Sequence, residues 1–397
     1  MTVKTLGYGI AVSALLLGCG DNIDGKPGPC EEQSGHACTW AGVPGVFGFN
    51  GDGNNRLETE LYWAMDVRFA ANGTVWFIDW NNHLVRRIDN DIVTTVVGWV
   101  DPIFPGDGLN GPAERMPAGV VGTDVKLNHP TDLTETDDGK ILVMAWHNHK
   151  LREIDPTDGH VRIVAGGGGG FAGDGMLVTD VAPLSLFKQP KAIERAPNGD
   201  LYILDQQNFR IRKIEKTTGM LSTIAGNGMQ GSDGDGGPAL SAKLNFEAGS
   251  NPEPSGGLAL KGNTLFIADT LSNRIRTVDL VSGTIDTLAG TGAEGFSGDG
   301  GPAIAAQLAH PRDLEIGPDG DLYIADTDNN RIRAISLDTA TSNIRTVAGS
   351  GVLGLDETDG LLATETKFAR PFGIEFSPAG DLYISDTINS RIVKVTK

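Results

Sequence analysis

A thirteen-residue stretch, Asp321–Arg333 (Asp-Leu-Tyr-Ile-Ala-Asp-Thr-Asp-Asn-Asn-Arg-Ile-Arg), recurs along the chain. A chain that repeats itself at such a period folds as an array of like units. Close copies stand at Asn263–Arg276 and Asp381–Val393, and weaker ones at Asp200–Arg212, Lys140–Arg152 and Thr74–Arg86. With Asp79, Ala145, Asp205, Asp269, Asp326 and Asp386 as equivalent positions, the steps are 66, 60, 64, 57 and 60 residues. Each copy holds four short apolar runs. In the fifth they are Asp313–Ile316, Leu322–Ala325, Arg331–Ser336 and Ile344–Val347, separated by Pro318-Asp319-Gly320 and Asp328-Asn329-Asn330. Short runs between such turn residues predict antiparallel strands. Four strands per unit, repeated radially, describe an all-β, six-bladed β-propeller of four-stranded antiparallel blades.

The ends of the chain predict how the ring closes. The last copy stops after three strands, at Val393-Lys394-Val395. The pattern of the missing fourth strand, as in Thr346-Val347-Ala348-Gly349 and Thr287-Leu288-Ala289-Gly290, appears near the start as Thr39-Trp40-Ala41-Gly42. An N-terminal strand that completes the C-terminal blade removes two open sheet edges. The Leu-Tyr-Ile-Ala-Asp-Thr-x-Asn-x-Arg-Ile-Arg motif, the Thr-Val-Ala-Gly strand and the loop Gly295–Ala303 (Gly-Phe-Ser-Gly-Asp-Gly-Gly-Pro-Ala) resemble the NHL-repeat proteins. The resemblance spans Thr39–Lys397. It implies the propeller and a scaffold used for protein binding, RNA binding and, in a few members, catalysis. A fold does not fix a function.

Residues 1–18 combine one cation, Lys4, with an apolar run from Leu6 to Leu17, the pattern of a secretory signal and too short for a membrane span. Leu16-Leu17-Gly18-Cys19 resembles a bacterial lipobox, which implies a lipidated Cys19. Gly20 rather than Asp follows it, pointing to the outer membrane, and two or more acyl chains make such anchoring stable. Residues 19–37 read as a flexible tether and 38–397 as the propeller. Cys30 and Cys38 are expected to form a disulfide in an exported chain. Removing residues 1–18 takes away Lys4 and moves the net charge from -19 to -20. That acidity opposes phosphate backbones and disfavours nucleic acid as a partner. A monomer held to the membrane only through its lipid is expected.

Within the repeat, Asp closing the second strand and Arg opening the third predict scaffold pairs: Asp205 with Arg210, Asp269 with Arg274, Asp326 with Arg331 and Asp386 with Arg391. Blades 1 and 2 depart from the pattern, with Asp79-Trp80-Asn81-Asn82-His83-Leu84 and Ala145-Trp146-His147-Asn148-His149-Lys150. The Gly-Asp-Gly loops place one carboxylate per repeat at Asp52, Asp107, Asp174, Asp235, Asp299 and Asp359. These suit turn capping, or calcium if several oxygens converge.

The entry to each inner strand falls on the same end of the propeller as the turn between its second and third strands. Trp80, His83, Trp146, His147 and His149 are therefore expected to join Lys191 and Arg312 as ligand-binding residues around the channel mouth. Asp66, Asp132, Asp313, His129 and His310 carry the donors of a metal or acid–base site, with calcium or zinc as the ion. Two readings stand. In one, the protein is a binding module of the cell envelope whose exposed Trp80 and Trp146 capture an extracytoplasmic protein, peptide or glycan. In the other, it is a metal-dependent lyase or hydrolase acting in the channel mouth; the regularity of blades 3 to 6 would also suit a purely structural spacer.

Overall fold

The computed structural model describes residues 33–99, 119–178, 185–250, 252–338 and 341–397. Cys19, Cys30 and Asp107 lie outside the described residues; Cys38 is buried in the first strand. Six antiparallel sheets are present, one per repeat. Their inner strands are Ala64–Phe69, Pro130–Glu135, Pro190–Arg195, Leu258–Lys261, Pro311–Ile316 and Pro371–Phe376. Each packs against the inner strands of the two neighbouring blades, and the first meets the last, so the ring closes. Closure follows the expected route. His36–Ala41 pairs with Arg391–Val395 in antiparallel register, Cys38 opposite Lys394 and Thr39 opposite Val393.

Second strands such as Ile141–Ala145 and Leu201–Asp205 are buried along their whole length. Alternate side chains pack into opposite neighbouring blades, so both faces of each sheet are core. Trp76, Ile78, Val143 and Ile154 share one interblade cluster, and Leu204, Ile211, Leu265 and Ile267 another.

The outer edges are covered. Four sheets gain a fifth, two-residue strand from the loop that enters the blade: Val120–Val121, Met176–Leu177, Gly237–Pro238 and Leu361–Leu362. In blades 1 and 5 the entering loop makes bridges instead, Asn55 to Ile92 and Pro302 to Asn343. Covering an edge removes its free amides and carbonyls from association.

The scaffold ion pair exists, but its arginine lies two residues further along than the spacing suggests. Asp205, Asp269 and Asp326 contact Arg212, Arg276 and Arg333 at 3.2, 3.2 and 3.5 Å, and Asp79 in blade 1 contacts Arg86 at 3.2 Å. Only Asp386 takes the first cation, Arg391, at 2.8 Å, because Val393 stands where the second would be. Each of the second arginines 86, 212, 276 and 333 is fully buried and also meets its loop carboxylate, Asp52, Asp174, Asp235 or Asp299. The loop aspartates are thus counterions and turn acceptors. The first arginines, 210 and 331, lie on loop phenylalanines, with Arg210 3.9 Å from the Phe171 ring centre and Arg331 3.8 Å from that of Phe296.

Blade 1 therefore keeps the pair, and blade 2 has lost it. There Asn148 stands in for the missing carboxylate. Its Oδ1 accepts the Asn128 amide at 2.8 Å and Arg152 Nη1 at 3.0 Å, the two bonds that Asp269 makes to the Asn245 amide and Arg276 in blade 4.

Candidate functional site

The channel mouth is ringed by the residues that precede the inner strands: Trp63, His129, Gln189, Pro254, His310 and Arg370. Five of them hold left-handed backbone, with φ between 47° and 65°. Side chains that seldom adopt this conformation persist in it only where their surroundings hold them there. The hold is a clasp from the preceding blade. The His310 amide donates to Asn273 Oδ1 at 2.9 Å and the Arg370 amide to Asn330 Oδ1 at 3.0 Å. In blades 1 and 2 a histidine does the same work: the His129 amide donates to His83 Nδ1, and the Gln189 amide to His149 Nδ1, both at 3.0 Å. His83 and His149 are thus interblade acceptors rather than ligand-facing groups. The exception supports the rule. Pro254 has no amide to give, and the preceding blade offers Phe209 at the clasp position.

A second clasp separates the blades more sharply. Thr270, Thr327 and Thr387 each donate a hydroxyl hydrogen bond to the next blade, onto the carbonyls of Pro311, Pro371 and Ala64 at 2.7–2.8 Å. Blades 1 and 2 carry Trp80 and Trp146 at that position. Trp146 is fully buried, and its Nε1 donates to Gln206 Oε1 at 3.0 Å. Gln206 in turn holds the carbonyls of Glu247 and Glu253 and the Ser255 amide. The expectation of an exposed Trp146 anchor is therefore corrected: it is a core residue. Trp80 is half-buried and stacks on Trp63, centroids 5.8 Å apart and planes 13° apart.

His129 touches Trp80 at 4.3 Å between ring centres, and its Nδ1 lies 2.9 Å from His147 Nδ1. Its Nε2 lies 3.3 Å from Asn81 Oδ1, which only a protonated Nε2 can satisfy. Burial, reinforced by His83 and His147, pushes His129 down to about 2, and burial pushes His149 down to about 4. Both imidazoles are neutral at physiological pH. This half of the mouth is lined by indole and imidazole rings.

The opposite half is ionic. Glu253 binds Arg312 and Arg370 at 2.7 Å each, Arg370 binds Asp328 at 2.8 Å, and Asp328 binds His310 at 2.6 Å. The hydrogen bond to Asp328 raises the His310 pKa. Below the rim, Lys191 is buried, and its Nζ donates across the channel to the Arg312 carbonyl at 3.1 Å.

Asp66, Asp132 and Asp313 line the channel, each tied to the next inner strand. They accept the amides of Leu133, Ile193 and Ile374, each at 2.9 Å. At the two equivalent positions held by glycine the strands close up: a Cβ on Gly257 would lie 2.7 Å from Asp313 Cα, and one on Gly373 2.3 Å from the Met65 carbonyl oxygen. Among the described residues no group of three or more His, Cys, Asp or Glu side chains could hold a metal ion. Asp66, Asp132 and Asp313 serve as strand clasps, and His129 and His310 have other partners. This donor set does not fit calcium or zinc.

A deeper layer was missed from the sequence. Two residues further along the same strand faces come Arg68, Glu194, Glu315 and Glu375, with Arg68 bonded to Glu375 at 3.1 Å. Burial pushes Glu194 up to about 8, and Asp132 and Glu375 to about 7; it raises Asp66, Asp313 and Glu315 as well. The period of two along a strand was the signal that could have found them.

A family model described as the teneurin NHL domain matches residues 34–279 and 253–336. The Arabidopsis thaliana protein "SUPPRESSOR OF QUENCHING 1, chloroplastic" is 30% identical over 71% of this chain and 26% of its own length. Human teneurin-1 is 26% identical over 74% of this chain and 9% of its own length. Human NHL repeat-containing protein 2 is 28% identical over 64% of this chain and 37% of its own length. The chain thus spans a minor part of each of these relatives. Among solved structures, a Bacteroides thetaiotaomicron protein of unknown function superposes with TM-score 0.64 at 18% identity, over 90% of this chain and 75% of that one. An auxiliary nutrient binding protein from the same organism superposes with TM-score 0.61 at 17% identity, over the same shares. At these identities both show the fold.

Proposed function

The chain belongs to the family of the teneurin NHL domain, and from that premise we propose that it is a binding module of the cell envelope. It takes an extracytoplasmic protein, peptide or glycan on the indole- and imidazole-lined half of its channel mouth. The observation that carries this reading is the exchange of an interblade threonine clasp for Trp80, stacked on Trp63 and flanked by His129, His147 and Asn81. A ring that binds its own blades with threonine at three equivalent positions gains no clasp from an indole there. The indole packs on one side against the core between blades 1 and 2; the part that stays exposed is left for a ligand, and aromatic residues are frequent anchors of binding. The nutrient-binding name of one structural neighbour agrees with such a role.

Lipidation of Cys19 fits this role and sets an orientation. The first described strand starts where the Gly35 amide bonds the Thr396 carbonyl at 2.8 Å, on the face opposite the mouth. An anchor at Cys19 would hold that opposite face toward the bilayer and turn the mouth away from it.

Thermal-shift screening of neutral oligosaccharides and short peptides tests the proposal. Ligands that stabilise the wild type are expected to lose their effect on Trp80→Thr, which installs the residue of blades 4 to 6. Undiminished stabilisation of that variant, or no stabilising ligand for the wild type, contradicts it.

A further inference from the structure

A second surface lies beside the mouth, where blade 6 meets blade 1. Equivalent positions in the loops that enter the blades are marked by parallel bridges: Phe47 to Leu61, Gly169 to Phe187, Gln230 to Leu244, Glu294 to Leu308 and Leu353 to Phe368. The loops entering blades 3, 4 and 5 carry Gly168-Gly169, Met229-Gln230 and Ala293-Glu294 there. The loops entering blades 6 and 1 carry Val352-Leu353 and Val46-Phe47, with Leu353 63% and Phe47 62% exposed. The same scaffold position thus tolerates glycine or a polar residue, and folding does not require the apolar pairs. Ile388, also exposed, sits on the turn between the two loops. Its neighbour Asn389 donates through Nδ2 to the Gly354 carbonyl at 2.8 Å and accepts the Gly45 amide at 2.8 Å, which locks both loops side by side. Phe47 continues inward through Tyr62, ring centres 5.4 Å apart, toward Trp63.

The surroundings are acidic. Residues 43–62 and 350–368 carry seven carboxylates against Arg56 and Lys367; these cations pair with Asp91 and Asp356, the buried Arg86 meets Asp52, and Arg331 reaches the second loop only at the Ser350 carbonyl, so carboxylates remain in excess. Exposed apolar side chains gathered on adjoining loops inside a charged frame mark an interaction site. The frame selects the partner, because charge complementarity across an interface excludes like-charged surfaces. An anionic bilayer is repelled, and a second copy would bring the same acidic loops face to face. We propose that this patch docks a polypeptide segment whose aliphatic or aromatic side chains are flanked by lysine or arginine.

The test selects peptides from a random display library against the full-length protein and titrates the selected peptides by fluorescence anisotropy. Peptides with apolar anchors flanked by Lys or Arg are expected to enrich and to bind more weakly as salt rises. Phe47→Ser with Leu353→Ser should weaken them roughly tenfold or more, and Glu357→Lys should weaken them as well. Trp80→Thr should leave them bound, which separates this surface from the mouth. No such enrichment, or equal binding by the double serine variant, overturns the proposal. So does patch-dependent binding to anionic vesicles, or patch-dependent self-association in sedimentation. If the double variant fails to fold, Glu357→Lys decides alone, and an unchanged affinity overturns the proposal.

Discussion

Blade 2 contains a natural replacement for the buried ion pair, and it can be transplanted. In blade 4, Asp269 accepts the Asn245 amide at 2.7 Å and Arg276 at 3.2 Å, with both side chains of the pair fully buried. Asp269→Ala leaves an amide unbonded and a buried guanidinium with only the half-exposed Asp235 opposite it. Removing one partner of a buried pair costs about 3–5 kcal/mol. Blade 2 has Ala145 at this position and recovers both bonds through Asn148, whose equivalent in blade 4 is Ser272. Adding Ser272→Asn to Asp269→Ala should therefore restore about 1–3 kcal/mol, the penalty of leaving a buried polar group unbonded. Urea unfolding of the wild type, both single variants and the double variant gives the coupling. The reasoning fails if Asp269→Ala costs less than about 1 kcal/mol, within the range of ordinary substitutions. It also fails if Ser272→Asn does no more in the Asp269→Ala background than in the wild type.

His83→Asn should melt close to the wild type, because Asn273 and Asn330 already make this clasp, whereas His83→Ala should lose about 1 kcal/mol; equal melting of the two variants would deny the clasp. Trp146→Ala should cost about 3–5 kcal/mol through its cavity and the lost Gln206 bond, against a smaller loss for Trp80→Thr, which gives up only partly buried packing, read from urea midpoints. The channel carboxyls give a pH dependence of definite sign. Glu194 at about 8, and Asp132 and Glu375 at about 7, lie above their ordinary values of 4.5, 3.8 and 4.5. The folded chain holds these protons more tightly, so their contribution to stability is complete below about pH 4 and is lost as pH rises through 7 to 8. The urea midpoint should fall between about pH 5.5 and about pH 8.5. Glu194→Gln should flatten that fall, and a midpoint rising over the range would contradict the burial of these groups.

The ring was legible because it rests on local chemistry that repeats: Pro-Asp-Gly and Asp-Asn-Asn turns, apolar runs of strand length, and the Thr-Trp-Ala-Gly strand displaced to the other terminus. Side-chain partners were less legible, because they depend on reach. Asp269 sits directly opposite Arg274 in the strand register, yet Arg276, on the same strand face, has the length to turn back to it. The histidines misled for a related reason. An imidazole Nδ1 can replace an asparagine Oδ1 as an acceptor, and position alone does not distinguish a ligand-facing His83 from a clasp. The channel aspartates were correctly placed at the inner-strand entry, but their acceptor role depends on amides of a neighbouring blade, about sixty residues away in the chain. Trp146 looked exposed because its repeat had departed from the pattern, when the departure is absorbed by Gln206 in the next blade.

The claim that the mouth is the working face is tested most directly by photo-crosslinking in the cells that make the protein. A photoreactive residue is placed at Asn81, on the mouth, or at Asn72, on an exposed turn at the opposite end of the same blade. The purified protein is then weighed for adducts by mass spectrometry. Adducts at position 81 and none at position 72 are predicted. Adducts confined to position 72 would place the partner on the other face and contradict the account.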